Sequence, residues 1–259
     1  MPADVSGRQR SIMGFLREHG SVHVDILSEH LQVTPQTIRR DLNQLYKLGL
    51  VQRVHGGAVI KDSVENLGYG ARKILMAAEK SEIARITAGI IPDNSSMYIN
   101  IGTTTERVAE FLVDHSDMLV ITNNINVAST LWPSHGVEVM IAGGTVRQSD
   151  GGIVGSSTEE FINKFKLDYA VIGCSAIDDT GEFYDYDLRE VHVTQSMIRH
   201  ARSVIMATDS TKLERSASVI VGNLADIDTL VIDDGISDRF VEFCHQNDVQ
   251  VIITNTVKR

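Results

Sequence analysis

Gly102-Thr103-Thr104-Thr105 closes the apolar run Met97-Tyr98-Ile99-Asn100-Ile101 and leads into a helical pattern beginning at Glu106. A small residue for the turn, three hydroxyls and a helix start bring O–H donors and unpaired N–H groups together where the helix dipole favours negative charge. That combination makes an anion cradle suited to a phosphate group; the plainer use is a turn at Gly102 and a cap from one threonine. The loop has neither the Gly-Lys-Ser/Thr of a Walker loop nor the Gly-x-Gly-x-x-Gly of a dinucleotide site. Further polar groups follow later apolar runs: Asn123-Asn124, Gly143-Gly144 with Arg147, Cys174-Ser175, and Asp209-Ser210-Thr211-Lys212. Lys212 and Arg147 carry charge to neutralise a phosphate dianion, while Asn123, Asn124, Asp187 and Glu190 can exchange hydrogen bonds with sugar hydroxyls. Each also has an ordinary structural use: the asparagines as turn residues, Arg147 as a solvated side chain, Asp187 and Glu190 as a capping box, Lys212 as a loop end.

A second row of donors lies between Thr34 and Gln44. Thr34 is a good N-cap, Pro35 fits the first helical position, and Ile38, Leu42 and Leu45 recur along one face. The opposite face carries Gln36, Thr37, Arg40, Asn43 and Gln44, with Arg39 on the flank. Arginine pairs with guanine and glutamine or asparagine with adenine in the major groove, so this face suits base edges and phosphates. The alternative is a solvated amphipathic helix that touches nothing.

The elements that must position these residues follow from periodicity. Ile12, Phe15 and Leu16, then Val24, Ile26, Leu27 and Leu31, outline two short helices separated by a turn at His19-Gly20-Ser21. Gln32-Val33 joins the second to the Thr34 helix at a helix-turn-helix spacing. Leu50 to Ile60 reads as a hairpin turning at Gly56-Gly57, which adds Arg53 and His55 to the DNA-facing set and completes a winged helix. Residues 61 to 78 break any period and read as a linker. From 79 to 259 the runs 97–101, 118–122, 137–141, 169–173, 204–208, 229–232 and 249–253 look like strands, many separated by helical segments. This is the rhythm of an α/β domain with a mostly parallel sheet, whose ligands sit at the carboxyl ends of strands.

Charge separates the same two parts. The chain is acidic, with 24 Lys+Arg against 34 Asp+Glu, yet residues 1 to 60 hold seven basic and five acidic residues, leaving 17 and 29 for the rest. A weakly cationic arm beside an acidic body presents one end to a phosphate backbone, and a homo-oligomer, dimer or tetramer, is expected to read repeated half-sites. No stretch approaches the roughly 20 apolar residues of a membrane span, and Met1 to Arg8 lacks an apolar signal core, so a cytoplasmic protein is expected. Cys174 and Cys244 read as reduced, mostly buried thiols, the nine histidines are scattered, and neither a metal nor a cofactor is expected.

The run Pro35 to Leu42, followed by Arg53-Val54-His55-Gly56-Gly57-Ala58, Ile101-Gly102-Thr103-Thr104, Thr122-Asn123-Asn124, Ala142-Gly143-Gly144, Asp187-Leu188-Arg189-Glu190-Val191 and Asp209-Ser210-Thr211-Lys212, resembles the DeoR family of bacterial transcriptional regulators. The resemblance spans nearly the whole chain. It implies a winged-helix domain that binds double-stranded operator DNA, joined to a sensor domain similar in fold to ribose-5-phosphate isomerase. It further implies that a phosphorylated sugar or polyol, glycerol 3-phosphate first, loosens the grip on the operator. Carried over by motif, Gly102 to Thr105 hold the phosphate with Lys212 as counter-charge, and Asp187 and Glu190 face hydroxyls. The chain departs from the family after Glu190-Val191, where relatives carry basic residues and this sequence has Thr194-Gln195. Two readings result: a repressor without catalytic residues, or a sugar-phosphate isomerase with a DNA-binding arm, in which Asp187, Glu190 and Lys212 serve as acid, base and charge clamp.

Overall fold

The computed structural model describes residues 6–19, 21–48, 50–54, 56–60 and 69–255. The chain divides into two units, Met1–Ala77 and Ala78–Arg259.

The first unit runs α1 (Gly7–His19), β1 (Ser21–His23), α2 (Val24–His30), α3 (Pro35–Lys47), β2 (Val51–Val54), β3 (Gly57–Ile60) and α4 (Tyr69–Ile74). α3 begins as its sequence dictates: Thr34 is extended, its hydroxyl accepts from Thr37 N at 3.3 Å, and Pro35 fills the first position. Ile12, Leu16, Leu27, Ile38, Leu42 and Leu45 close a small core. Of the turn expected at His19-Gly20-Ser21, Gly20 lies outside the described residues; Ser21 opens β1, which pairs antiparallel with β3 and makes a three-stranded sheet of the hairpin. Gly57 is why this strand fits, since a Cβ there would lie 2.1 Å from Val22 O; Gly56 supplies the left-handed turn at φ +76°. The expected linker is also partly regular. α4 lies inside 61–78, whereas 61–68 is outside the described residues.

The second unit begins with α5 (Ala77–Gly89) and continues β4 (Ser96–Ile99), α6 (Thr103–Leu112), β5 (Met118–Thr122), α7 (Ile125–Leu131) and β6 (Val137–Ile141). A two-stranded hairpin of β7 (Thr145–Val146) and β8 (Ile153–Val154) follows, then α8 (Ser156–Ile162), β9 (Leu167–Ile172), β10 (Ala176–Ile177), β11 (Glu182–Asp185), α9 (Leu188–Arg199) and β12 (Ala201–Ala207). β13 (Val219–Asn223), β14 (Thr229–Asp233), α10 (Asp238–Gln246) and β15 (Gln250–Thr254) complete it. Seven strands form one sheet in the order β15-β14-β12-β9-β4-β5-β6, every neighbouring pair parallel. All seven expected strands are in it. Their side chains alternate between faces: Met97, Ile99, Val120, Val171 and Ile205 pack with α5, α6 and α7, and Tyr98, Ile121, Ile172 and Met206 pack with α8, α9 and α10. β10, β11 and β13 form a small antiparallel sheet beyond the main one.

Candidate functional site

In the first unit, burial of Ile38, Leu42 and Leu45 turns the opposite face of α3 outward. Gln36, Arg39, Arg40 and Asn43 are exposed, as is Thr34, and Thr37 is half-buried. The Thr34 and Thr37 hydroxyls bond each other at 2.9 Å, so capping takes part of their donor capacity. Gln44, which periodicity places in the same row, has its amide carbonyl committed to Gln9 of α1. Arg53 lies on β2 with its side chain outside the described set, and His55 is outside the described residues.

In the second unit the strand order fixes where a ligand belongs. From β4 the chain builds one way through β5 and β6, then returns to place β9, β12, β14 and β15 on the other side of β4. The direction in which strands are added reverses between β4 and β9, and a parallel sheet opens a crevice at the carboxyl ends of the strands at such a switch point. Gly102 to Thr105 leave β4 there: Gly102 precedes α6, Thr103 to Thr105 are its first three residues, and all three threonines are buried. The Thr105 hydroxyl donates at 2.9 Å to Asn100 O and lies 2.9 Å from Gly102 O. The Asn100 side chain ties β4 to the end of β9, accepting from Gly173 N at 3.1 Å and donating to Gly173 O at 3.4 Å. Thr103 and Thr104 therefore stand at the start of α6, the end at which the helix dipole favours negative charge.

Next to this loop, on the β12 side, stands a buried charge cluster. Lys212 sits in the short 3-10 turn Ser210–Glu214, its N–H donating to Asp209 O at 3.0 Å. Asp233 anchors that turn, accepting from Ser210 N and Ser210 Oγ, both at 2.7 Å. Asp209 is fully buried and meets Lys80 of α5 at 3.8 Å. Burial opposes its charge, but Lys212 and Lys80 outweigh that and hold the carboxyl below the usual range. Burial pushes the Cys174 thiol, just after β9, up to about 12, and the Lys212 ammonium pulls against that rise. Thr105, Asn100, Gly173, Cys174, Asp209 and Lys212 thus form one connected wall.

On the β5 side, Asn123 donates from Nδ2 to Ile153 O at 2.9 Å, and its buried Oδ1 has no hydrogen-bond partner. Asn124 caps α7 and donates to Glu106 Oε1 at 3.2 Å; Asn126 joins the same oxygen at 2.9 Å and Asp150 O at 2.9 Å. Arg147 differs from the phosphate clamp expected of it. Its guanidinium is held by three carboxylates: Asp150 at 2.7 Å, Glu190 at 2.5 Å and Asp187 at 3.4 Å. Burial works against its charge, but Glu190 and Asp150 more than restore it, so Arg147 adds no net positive charge to the site. Asp187 caps α9, and its bonds from Arg189 lower its pKa to about 2. The structure thus brings Asn124 close to the Thr loop through Glu106 of α6. It joins Arg147 to Asp187 and Glu190, and sets Lys212 on the far wall.

The sequence reading gave no site role to Lys80, Glu106, Asn126 or Asp150, and named Asp209 only as part of a polar strand end. Nothing local marks Lys80, which sits in an ordinary charged helix start, because its partner is 129 residues away in the sequence. Asn126 and Asp150 meet only because the loop before β8 folds back on Asn123-Asn124, with Ile125 N on Gly151 O at 3.1 Å and Ile153 N on Asn123 O at 2.7 Å.

Two family descriptions match the chain: DeoR-like helix-turn-helix domain over residues 8–64 and DeoR C terminal sensor domain over 76–234. The glycerol-3-phosphate regulon repressor of Escherichia coli is 40% identical over 226 residues, 87% of this chain and 90% of its own. That of Haemophilus influenzae is 38% identical over 248 residues, 96% of each chain. The HTH-type transcriptional repressor CsqR of Escherichia coli is 38% identical over 88% of this chain and 87% of its own. A solved D-ribose-5-phosphate isomerase in complex with phospho-erythronic acid aligns over 52% of each chain at 15% identity and a TM-score of 0.39, too low to bear on this protein. Among the described residues no helix is long and apolar enough to cross a membrane, and no group of His, Cys, Asp and Glu is arranged to hold a metal ion. The relatives are transcriptional repressors, and the chain is a regulator rather than an isomerase. With a helix-turn-helix unit at one end, a parallel-sheet sensor at the other and relatives matched over most of their length, the chain belongs to the DeoR family of transcriptional regulators.

Proposed function

We propose that this repressor, acting in the cytoplasm as a dimer or tetramer, holds paired operator half-sites through residues 1–60 and is released when a phosphorylated polyol occupies the sensor, residues 79–259. Residues 61–78 connect the two. Gln36, Arg39, Arg40 and Asn43 reach base edges or phosphates, Thr34 and Thr37 frame the helix start, and Arg53 and His55 act from the wing. In the sensor, the N–H and O–H groups of Gly102 to Thr105 receive the phosphate and Lys212 supplies the counter-charge. Asn123, Asn124, Asp187 and Glu190 face the hydroxyls, with Arg147 ordering the two acids.

The observation that supports this reading is that Gly102 to Thr105 open α6 at the carboxyl end of β4, beside the switch point, and the turn that carries buried Lys212 follows β12 in the same sheet. Glycerol 3-phosphate is the first effector, supported by the names of the relatives at 38–40% identity. An effector acts by binding one sensor arrangement better than another, and that difference alone shifts the operator equilibrium. Thermal unfolding of the purified protein against glycerol 3-phosphate, ribose 5-phosphate, glucosamine 6-phosphate and inorganic phosphate tests it. A ligand at 100 times its dissociation constant stabilises the native state by about 2.7 kcal/mol. A shift with glycerol 3-phosphate alone is expected; a shift with another phosphate changes the effector, and no shift with any removes the sensor site.

A further inference from the structure

The first turn of α1 is fastened to α3 at two points. Ser6 and Gln9 make a reciprocal capping box, with Gln9 N donating to Ser6 Oγ at 3.2 Å and Ser6 N donating to Gln9 Oε1 at 3.0 Å. The box fixes the Gln9 amide, whose Nε2 donates to Gln44 Oε1 at 2.5 Å and lies 3.5 Å from Asp41 Oδ1. One residue earlier, Arg8 presents its fork to Asp41, Nε to Oδ2 at 2.5 Å and Nη2 to Oδ1 at 3.3 Å. The Asp41 side chain is 6% exposed and the Arg8 side chain 41%.

Asp41 and Gln44 are three residues apart and so share one flank of α3, between the core stripe and Arg40. Elsewhere the two helices bury apolar side chains of one core, Ile12 and Leu16 from α1 with Ile38, Leu42 and Leu45 from α3, and apolar burial has little direction. Burial of Ile38, Leu42 and Leu45 sets which face of α3 turns inward; two directional contacts on one flank narrow its rotation about the axis further. The charge of Asp41 makes the point sharper. It is an acid next to Arg40 on a helix that meets a polyanion, where its Coulombic effect opposes binding. We propose that Arg8–Asp41 and Gln9–Gln44 form a clamp that sets the rotation of α3, making Arg8 and Asp41 positioning residues for operator readout rather than DNA contacts. The proposal rests on α3 being the reading helix. Placement matters because binding side chains must be held within about 0.5 Å and 10–20° of their working geometry.

The test begins with the full-length wild-type protein selecting a duplex from a random library; a scrambled duplex of the same composition is the reference. Failure to enrich any sequence would sink the reading-helix assignment itself, separately from the clamp. Binding to both duplexes is then titrated over a salt series for Asp41→Asn, Arg8→Ala and Arg8→Lys. Simple electrostatics predicts that Asp41→Asn tightens both complexes. The clamp predicts the reverse on the selected duplex, a loss of about tenfold or more in all three variants, the scale of one misplaced base contact, with scrambled binding unchanged or, for Asp41→Asn, stronger. Arg8 is half in solvent on the first turn of its helix, so both Arg8 variants keep their helical circular dichroism and decide the matter if Asp41→Asn unfolds. The clamp is overturned if Asp41→Asn holds the selected duplex as tightly as wild type. It is equally overturned if Arg8→Lys restores wild-type affinity while Arg8→Ala weakens both duplexes alike and flattens the salt slope by about one, the mark of a phosphate contact.

Discussion

The proposed function puts its two halves to the test at single side chains, Arg40 and Lys212. Arg40 is exposed on α3, opposite the buried stripe, so its removal disturbs no core contact. Arg40→Ala is expected to weaken operator binding by about 1–3 kcal/mol while leaving effector-induced stabilisation unchanged. A gel shift beside a thermal melt checks both; full affinity in the variant would take Arg40 off the reading face. Lys212 is the converse case. Lys212→Ala, and more mildly Thr103→Val, should still hold operator but resist release by the effector, read as retained complex at effector concentrations that free the wild type. Lys212→Ala carries a second signature, because it takes the strongest of the cations that hold the buried Asp209 charge and leaves Lys80, at 3.8 Å, and the weaker pull of Arg215. A carboxyl whose folded pKa is depressed contributes stability above its unfolded pKa of about 3.9, and that contribution is lost as pH falls through the lower folded value. The stability gap between wild type and Lys212→Ala is therefore expected at pH 7 and should narrow below about pH 4. A gap that is the same at both pH values would mean that Lys212 does not hold the Asp209 charge.

At the scale of elements, Gly57 and Arg147 each join pieces that sequence reading left apart. A methyl group at Gly57 would collide with the backbone of β1, and backbone cannot swing aside as a flexible side chain can. Gly57→Ala should separate β1 from β3 and cost more than about 1 kcal/mol, the ordinary cost of a mutation. Operator binding should fall while the effector still stabilises the sensor. Arg147 ties the β7–β8 hairpin to the start of α9 through Asp150, Asp187 and Glu190. Removing one partner from a buried ion cluster leaves uncompensated charge, at a cost of about 3–5 kcal/mol. Arg147→Met should melt well below wild type at pH 7, and a melt equal to that of wild type would mean that the three carboxylates do not depend on Arg147. What was legible follows from the same physics. The seven sheet strands are runs such as Val171-Ile172 and Leu230-Val231-Ile232, buried on both faces, and such strands read as apolar without any context. β1 and β10 are two or three residues long and β11 carries polar residues, so only their partners reveal them. The site divides likewise. The Thr loop announces itself by composition, but Arg147 sits among residues that suit a phosphate clamp equally well until three carboxylates close on it.

For the whole molecule, charge and repetition set how DNA is held. The 60-residue arm has a surplus of two positive charges and the remaining 199 residues a deficit of twelve, so one arm releases few counterions and its companion body repels the duplex. In the dimer or tetramer proposed above, affinity sufficient for repression comes from two arms acting together. Once the first arm is seated, the second binds at the effective concentration its connection allows, about millimolar for short flexible links, without any new contact. Such cooperation demands that both half-sites face the protein. B-DNA turns once in about 10–10.5 base pairs, so a spacer lengthened by about five base pairs carries one half-site to the opposite face, and a further five bring it back. Titration of selected duplexes with spacers increased by zero, five and ten base pairs should therefore give tight, weak and partly restored binding. Raising salt should lower all three, more steeply for the duplexes that engage both arms, since the slope follows the number of phosphates neutralised. Equal affinity for every spacer and for a single half-site would show one arm acting alone, and the weak positive charge of the arm would then have to be made good by base contacts from α3 and the wing.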